Sequence, residues 1–276
     1  MTVKHAQGET VVPVNPETVL TFDLAALGTL DLLGVNVAGV PKSNLPGGLE
    51  KYAGEDYLDI GTLFEPDFEA VNAAEPDLII VAGRSAAALP ELAKIAPTID
   101  VSNDWARFYD SNLENTRTLA QIFDKTDEAE ALIADLDARV AALKSTTPDA
   151  GKALIVLTSG GEVTAYGPGS RFGILHDTLG VVPAVEDVEE ATHGEAISFE
   201  FILETNPDWL FVVDRDAATG EGGAAAAEVL DNELVKQTTA STKDQIVYVD
   251  SVAWYILNGG LVALDKILTE VEGVLG

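Results

Sequence analysis

The sequence predicts an α/β protein of two similar lobes joined by a helical connector. Three observations lead there. First, a pattern occurs twice. Phe68-Glu69-Ala70-Val71 leads to Pro76-Asp77-Leu78-Ile79-Ile80-Val81 and Arg84, and Phe199-Glu200-Phe201-Ile202 leads to Pro207-Asp208-Trp209-Leu210-Phe211-Val212-Val213 and Arg215. Phe199 follows Phe68, Pro207 follows Pro76 and Arg215 follows Arg84 by the same 131 positions. Each copy reads as a short helix, a Pro-Asp turn, a buried strand, and an arginine just past the strand's carboxyl end. Second, apolar strand runs alternate with helical periodicity on both sides of the chain's middle, the mark of an α/β layer. Third, Ser111 to Lys144 holds no glycine or proline over 34 residues. The expected division is an N-terminal lobe over 1–110, a connecting helix over 111–147 and a C-terminal lobe over 148–276.

In chain order, Val11 to Val14 reads as a short strand. Glu17 to Leu33 reads as a helix, with Val19, Leu20, Leu24, Leu27, Leu30, Leu32 and Leu33 apolar and Gly34 as its stop. Val37 to Val40 is an apolar run ended by Pro41, and a Gly/Pro-rich loop covers Lys42 to Gly54. The first repeat follows, with its strand at Leu78 to Val81. A helix from Ala86 to Ile95 and a strand from Thr98 to Val101 complete the lobe. In the connector, Thr126 followed by Asp127 and Glu128 reads as a helix cap after a break near Asp124. Beyond it, Leu132, Ile133, Leu136, Val140 and Leu143 recur at helical spacing.

The second lobe opens with a continuous apolar strand, Ala153 to Leu157. Val163 to Tyr166 leads into the tight loop Gly167-Pro168-Gly169-Ser170-Arg171. Phe172 to Leu179 reads as a helix ended by Gly180. The second repeat follows, with its strand at Leu210 to Val213. Gly220 to Ala227 is a Gly/Ala stretch and reads as a loop running into a helix. Ile246 to Val249 is a strand, and Trp254 to Leu275 is a final helix interrupted by Gly259-Gly260.

Composition narrows the function. The apolar share is 47%, enough for a substantial core. Cysteine is absent, which excludes disulfides, thiolate metal sites and a cysteine nucleophile. No apolar run reaches the ~18 residues of a membrane span. The polar start, Met1 to Gly8, is not a secretory leader, although a processed exported protein could begin the same way. With 46 acidic and 16 basic residues the net charge is −30, which argues against nucleic acid and anionic membranes as partners. The six arginines are Arg84, Arg107, Arg117, Arg139, Arg171 and Arg215. Several of them converging on one site would make a local positive well in a negative molecule.

The duplicated arginines are the first candidates. Either one alone reads equally as a charged cap on a buried strand. Their shared position, at the strand end where open α/β sheets bind ligands, favours a binding role. A guanidinium suits a planar, delocalised anion, since its fork of donors stays charged and can also stack. Arg171 sits in a turn that can present it to a cleft. That turn lacks the Lys-Ser/Thr of a phosphate-binding Walker loop. His193, in Ala191-Thr192-His193-Gly194-Glu195, reads either as a solvated loop residue or as a metal ligand. Tyr255 can supply a phenolate to a ferric ion, and Trp254 beside it reads as core or cleft lining. His176 falls in an amphipathic helix and reads as structural. Gly-x-Ser-x-Gly, His-Glu-x-x-His and a strand-borne Gly-x-Gly-x-x-Gly are all absent, so no enzyme signature appears.

At these residues the chain resembles the extracytoplasmic substrate-binding proteins of bacterial ABC importers for ferric siderophores, in particular the catecholate (enterochelin-type) branch. The resemblance runs from Val11 to the C-terminus. It is carried by Glu65-Pro66-x-x-Glu69-x-Val71 with Pro76-Asp77-Leu78-Ile79-Ile80 and Gly83-Arg84, by Tyr166-Gly-Pro-Gly-Ser-Arg171-Phe172-Gly173, by the His193 loop, by Val213-Asp214-Arg215, and by Trp254-Tyr255-x-x-x-Gly259-Gly260. It implies a class III architecture of two Rossmann-like lobes bridged by a single long α-helix, with the ligand in a shallow cleft between them. It implies that Arg84, Arg171 and Arg215, with Trp254, meet an anionic ferric catecholate. It implies that His193 and Tyr255 complete the iron shell of a bis-catecholate, which fills four of six ferric positions. Glu69 and Glu200 match the glutamates with which such proteins dock onto the permease.

The resulting expectation is a monomeric, periplasmic or extracytoplasmic binding protein. It is not an enzyme and has no permanently bound cofactor, and ferric iron arrives as the siderophore complex. Haem or cobalamin carriage by a related importer is the alternative reading, and an α/β enzyme is a more distant one. Long-range attraction between so acidic a chain and an anion is unfavourable. At ~0.15 M salt charges beyond ~8 Å are largely screened, so arginines at contact range would dominate.

Overall fold

Leu78, Ile79, Ile80 and Val81 are each 0% exposed, as are Leu210 to Val213. Such runs, apolar on both faces, suit central strands of a parallel sheet, and each becomes one. The computed structural model describes residues 1–43, 45–188 and 193–276. The chain forms two compact units. The first comprises Met1–Asn103, Asp110–Ala134 and Gly259–Ala263, and the second comprises Asp104–Tyr109, Asp135–Asn258 and Leu264–Gly276.

In the first unit β1 (Thr2–His5) and β2 (Gly8–Val11) form an antiparallel hairpin. The sheet holds β3 (Val19–Thr21), β4 (Gly39–Val40), β5 (Leu58–Asp59), β6 (Leu78–Val81) and β7 (Thr98–Asp100). Its order is β5-β4-β3-β6-β7, and every pairing is parallel. Helices α1 (Leu24–Leu32), α2 (Phe68–Ala73) and α3 (Leu89–Leu92) belong to the same unit. Leu20, Phe22, Ile60, Val71, Ile79, Val81 and Leu92 share one core.

The glycine- and proline-free stretch forms α4 (Phe108–Ile122) and α5 (Thr126–Leu143). They are separated by Asp124, whose φ of 55° lies in the left-handed region and ends the first helix.

The second unit's sheet contains β8 (Lys152–Ser159), β9 (Glu162–Tyr166), β10 (Val182–Pro183), β11 (Glu195–Ile197), β12 (Trp209–Asp214) and β13 (Ile246–Tyr248). Its main order is β11-β9-β8-β12-β13, with β10 also on β8. β12 pairs in parallel with β8 and β13, whereas β9 runs antiparallel to β8. Helix α6 (Phe199–Thr205) precedes β12 and α7 (Arg215–Thr219) follows it.

The repeat is therefore real in space. β6 and β12 each sit fourth in their sheet order, with β3 and β8 as inner neighbours. The aspartate of each Pro-Asp turn has the same task. Asp77 N–H donates to Thr18 O at 2.9 Å and its carboxylate accepts from Thr18 N–H at 2.9 Å. Asp208 N–H donates to Lys152 O at 2.9 Å and its carboxylate accepts from Lys152 N–H at 2.9 Å. Each aspartate thus clasps the entry of the neighbouring strand and sets its register.

Five expectations need correction. The helix expected over Ala86–Ile95 is a 3-10 turn, Gly83–Ala88, running into the short α3 (Leu89–Leu92). The strand expected at Val11–Val14 is the hairpin β1–β2, which stops before Pro13 because proline cannot extend the ladder. The helix expected over Glu17–Leu33 is β3 followed by α1. Its apolar start, Val19-Leu20-Thr21, pairs with β6, and the Asp23 carboxylate caps α1 by accepting from Ala26 N–H at 2.7 Å. The helix expected over Phe172–Leu179 is a π-helical turn, Ile174–Thr178. The final helix begins only at Gly260, and Val252–Leu257 before it is a second π-helical segment.

Candidate functional site

In both sheets the strand order reverses between the first strand and the repeat strand: between β3 and β6 in one, and between β8 and β12 in the other. Chain segments leaving such a pair at its carboxyl end diverge and leave a crevice. Arg84 follows β6, and Arg215 follows β12 as the first residue of α7.

In the first unit Arg84 is half-buried beside Asp23. Burial pushes the Asp23 carboxyl up from its ordinary value; its hydrogen bond from Ala26 and the charge of Arg84 offset part of that rise. The turn carrying Arg84 is fixed from both sides. Gly83 N–H donates to Ser102 Oγ at 2.8 Å, and Ala82 N–H donates to the buried Ser85 Oγ at 3.1 Å.

In the second unit the candidates gather around Tyr255. The Arg171 guanidinium carbon lies 4.6 Å from the Tyr255 ring centroid and 5.1 Å from that of Phe172. Its Nη2 donates to Tyr255 O at 3.2 Å. The Arg215 guanidinium carbon lies 6.0 Å from the same tyrosine ring. Arg215 Nε donates to Tyr255 Oη at 3.1 Å, and Nη1 donates to Ser159 Oγ at 3.2 Å and to Glu221 Oε2 at 2.7 Å. Donation to Tyr255 and Glu221 holds the Arg215 guanidinium above its ordinary pKa. Two cations thus flank one phenol, each within cation–π range.

Both segments that carry this cluster contain π-helical turns, which recur at functional sites because they push a side chain out of the helical register. Arg171 lies just before the first and Tyr255 within the second. Asn258 ties them together. It ends the second segment in the left-handed conformation, with φ 45°. Its amide Nδ2 donates to Arg171 O at 3.3 Å and to Trp254 O. Asn258→Ala is expected to lose about 1–2 kcal/mol, from a strained backbone and missing hydrogen bonds. Asn258→Gly should recover the backbone share only. Urea unfolding of the two variants measures the split.

Trp254 takes the core side of its two readings rather than the ligand contact that the resemblance implies. It is 1% exposed, its ring centroid is 6.4 Å from that of Phe172, and Nε1 donates to Glu270 Oε2 at 2.8 Å. A side chain so buried presents no face to a ligand; it supports the segment that aims Tyr255. Phe172 in turn packs edge-on to Tyr166, with centroids 4.6 Å apart. Gly194 lies against Tyr166 so closely that a Cβ there would stand 2.7 Å from the ring. The aromatic row thereby seats the turn next to His193, whose side chain is exposed. Ala191 and Thr192 of that loop lie outside the described residues. His176 is buried and its Nδ1 is 2.9 Å from Val181 O, a structural placement.

Glu69 and Glu200 are each the second residue of their helices, α2 and α6, and both are exposed. Among the described residues no group of three or more His, Asp or Glu side chains could hold a metal ion, and no helix is long and apolar enough to cross a membrane. Sequence reasoning missed Ser159, Glu221 and Asn258. Only the last left a signal, since Asn-Gly-Gly marks a left-handed turn.

Residues 19–253 match the periplasmic binding protein family. The petrobactin-binding protein YclQ of Bacillus subtilis is 40% identical over 99% of this chain and 87% of its own length. Its crystal structure superposes with a TM-score of 0.96, covering 100% of this chain and 98% of that one. The ferric-anguibactin-binding protein FatB of Vibrio anguillarum is 34% identical, over 98% of this chain and 85% of its own. The periplasmic catecholate-siderophore binding protein VctP of Vibrio cholerae gives a TM-score of 0.95 at 34% identity, over 99% of each chain.

Proposed function

Because this chain belongs to the periplasmic binding protein family, we propose that it captures a ferric catecholate siderophore outside the cytoplasm and delivers it to an ABC importer. It is a binding protein, and the iron chelate is its cargo. One observation carries the choice of ligand class: two guanidinium groups flank a single tyrosine ring in a chain of net charge −30. Such a cluster attracts a planar, delocalised anion at contact range and offers it both forked hydrogen bonds and stacking. Ferric catecholates have that chemistry.

Arg171 and Arg215 bind the catecholate oxygens, and Arg84, at the matching position of the first repeat, is the anion-binding candidate of the first unit. Tyr255 Oη already accepts a hydrogen bond from Arg215 Nε–H. Once its own proton is lost to solvent and the phenolate oxygen coordinates the ferric ion, the negative charge is stabilised by the two neighbouring guanidinium groups. His193, exposed beside the Gly194 anchor, supplies the second protein ligand. Glu69 and Glu200, at equivalent helix starts, meet basic side chains of the permease. Rim contacts of that kind govern orientation and association more than tightness.

The test is a titration with the ferric complex of a tetradentate bis-catechol, followed in the visible. Direct ligation replaces two solvent ligands of the iron, so the ligand-to-metal charge-transfer band shifts on binding. His193→Ala and Tyr255→Phe should each abolish part of the shift and weaken binding by about tenfold, the loss of one coordinated side chain being partly offset by water. Binding without any band shift would remove His193 and Tyr255 from the iron shell. No binding at all would remove the ligand class.

A further inference from the structure

The Arg215 guanidinium is already occupied by an anion of the protein's own. Glu221 Oε2 lies 2.7 Å from Nη1, and Oε1 lies 3.5 Å from Nη2, so the carboxylate covers the edge that a bidentate ligand would use. The other donors face inward, Nε to Tyr255 and Nη1 also to Ser159. Asp216, at 3.7 Å from Nη1, is different. It is 8% exposed, and its carboxylate accepts from Gly160 N–H at 2.8 Å and from Ser159 Oγ at 3.3 Å, so it is committed to holding the end of β8.

Glu221 is built to leave. Its side chain is 59% exposed. It is the only residue of Gly220-Glu221-Gly222-Gly223 with a side chain. Gly220 is left-handed at φ 71°, and nothing would lie within 4 Å of a Cβ on Gly222. The loop is pinned again only at Gly223, where a Cβ would stand 2.8 Å from Asp216 Oδ2. The carboxylate thus sits on a short glycine tether between two fixed points, and backbone rotation at Gly220 and Gly222 releases it without disturbing either.

We propose that Glu221 is a displaceable internal counter-ion that holds Arg215 until a polyanionic chelate replaces it, and so screens out simple anions. The inference rests on the reading of Arg215 as a ligand-binding residue. A monoanion offers the guanidinium no more than Glu221 does, and Glu221 has the advantage of being tethered. A ferric catecholate engages Arg171 and Arg215 at once and carries more charge, so it displaces the carboxylate. The cost is a fraction of the chelate's affinity, and the return is a site not filled by the small anions of the medium.

The experiment compares wild type with Glu221→Gln, an exposed change on a loop, in two assays. In the first, the ferric bis-catechol complex is titrated by protein fluorescence quenching. Glu221→Gln should bind about 1.5- to fivefold more tightly, the range of an exposed ion pair, and the gain should vanish in an Arg215→Gln background. In the second, sulfate is titrated while the Arg215 Nε–Hε resonance is followed by NMR. The resonance should respond at several-fold lower sulfate in Glu221→Gln than in wild type. Equal or weaker chelate binding by Glu221→Gln, or coincident sulfate curves, would overturn the counter-ion role. Should wild type fail to bind the chelate, the assigned ligand falls, and the sulfate curves alone still decide for or against Glu221.

Discussion

Changing Arg171 and Arg215 together to alanine should weaken binding of the ferric bis-catechol complex by at least about 100-fold. Each guanidinium makes a charge-assisted contact to an anionic oxygen, worth about 1.5–3 kcal/mol. Because both also pack on Tyr255, at 4.6 and 6.0 Å, the two losses are coupled and need not sum. A second effect acts in the same direction. Without Arg215, Glu221 becomes an unpaired carboxylate facing an anionic ligand. The Arg171→Lys/Arg215→Lys pair restores the charge but neither the fork nor the stacking, and should recover only part of the affinity. Fluorescence quenching gives the affinities, and near-UV circular dichroism checks that the aromatic packing is intact. Affinity within tenfold of wild type in the alanine pair would place the anion elsewhere.

The largest expected effect on stability comes from Trp254. Trp254→Ala should cost about 3–5 kcal/mol, the range for emptying a large aromatic site in a core. Phe172 would lose a neighbour, and the carboxylate of Glu270 would lose the indole N–H. Burial already pushes the Glu270 carboxyl above its ordinary value, and the Trp254 bond works against that rise. A carboxyl whose folded pKa is raised costs stability as pH climbs from the unfolded value through the folded one. Removing the indole enlarges that cost. The deficit of Trp254→Ala relative to wild type should therefore be smaller at about pH 5 than at about pH 7. Chemical unfolding at the two pH values measures it. Trp254→Phe should keep most of the packing, while still showing the pH-dependent part. A deficit below about 1 kcal/mol would contradict the burial on which this argument stands.

Much of this arrangement was legible in the sequence, and the reasons differ by element. The repeat strands were clear because strands buried on both faces leave uninterrupted apolar runs, as in Leu78–Val81. Arg84 and Arg215 stood out as candidates because they hold the same place in two copies. β3 was misread because Val19-Leu20-Thr21 continues in helical phase into Leu24 and Leu27, and only tertiary pairing with β6 separates them. The clasps made by Asp77 and Asp208 looked like ordinary turn residues, since their partners lie 59 and 56 positions away. The sequence leaves Trp254 between core and cleft lining because a Trp-Tyr pair does not say which ring faces inward. Glu221 was one acid among 46, and no local pattern distinguishes a carboxylate that lands on Arg215.

The two π-helical turns make the second unit's cluster sensitive to chain length rather than to composition. Such a turn holds one residue more than its α counterpart, and successive residues are about 100° apart around the axis. Deleting Ile256 or Leu257 would let the segment relax to ordinary winding and rotate Tyr255 by roughly that angle relative to the flanking chain. Tyr255 would then point away from both guanidinium groups, even if every named side chain survived. Conservative swaps in this segment are a matter of fit, whereas indels reset its compass.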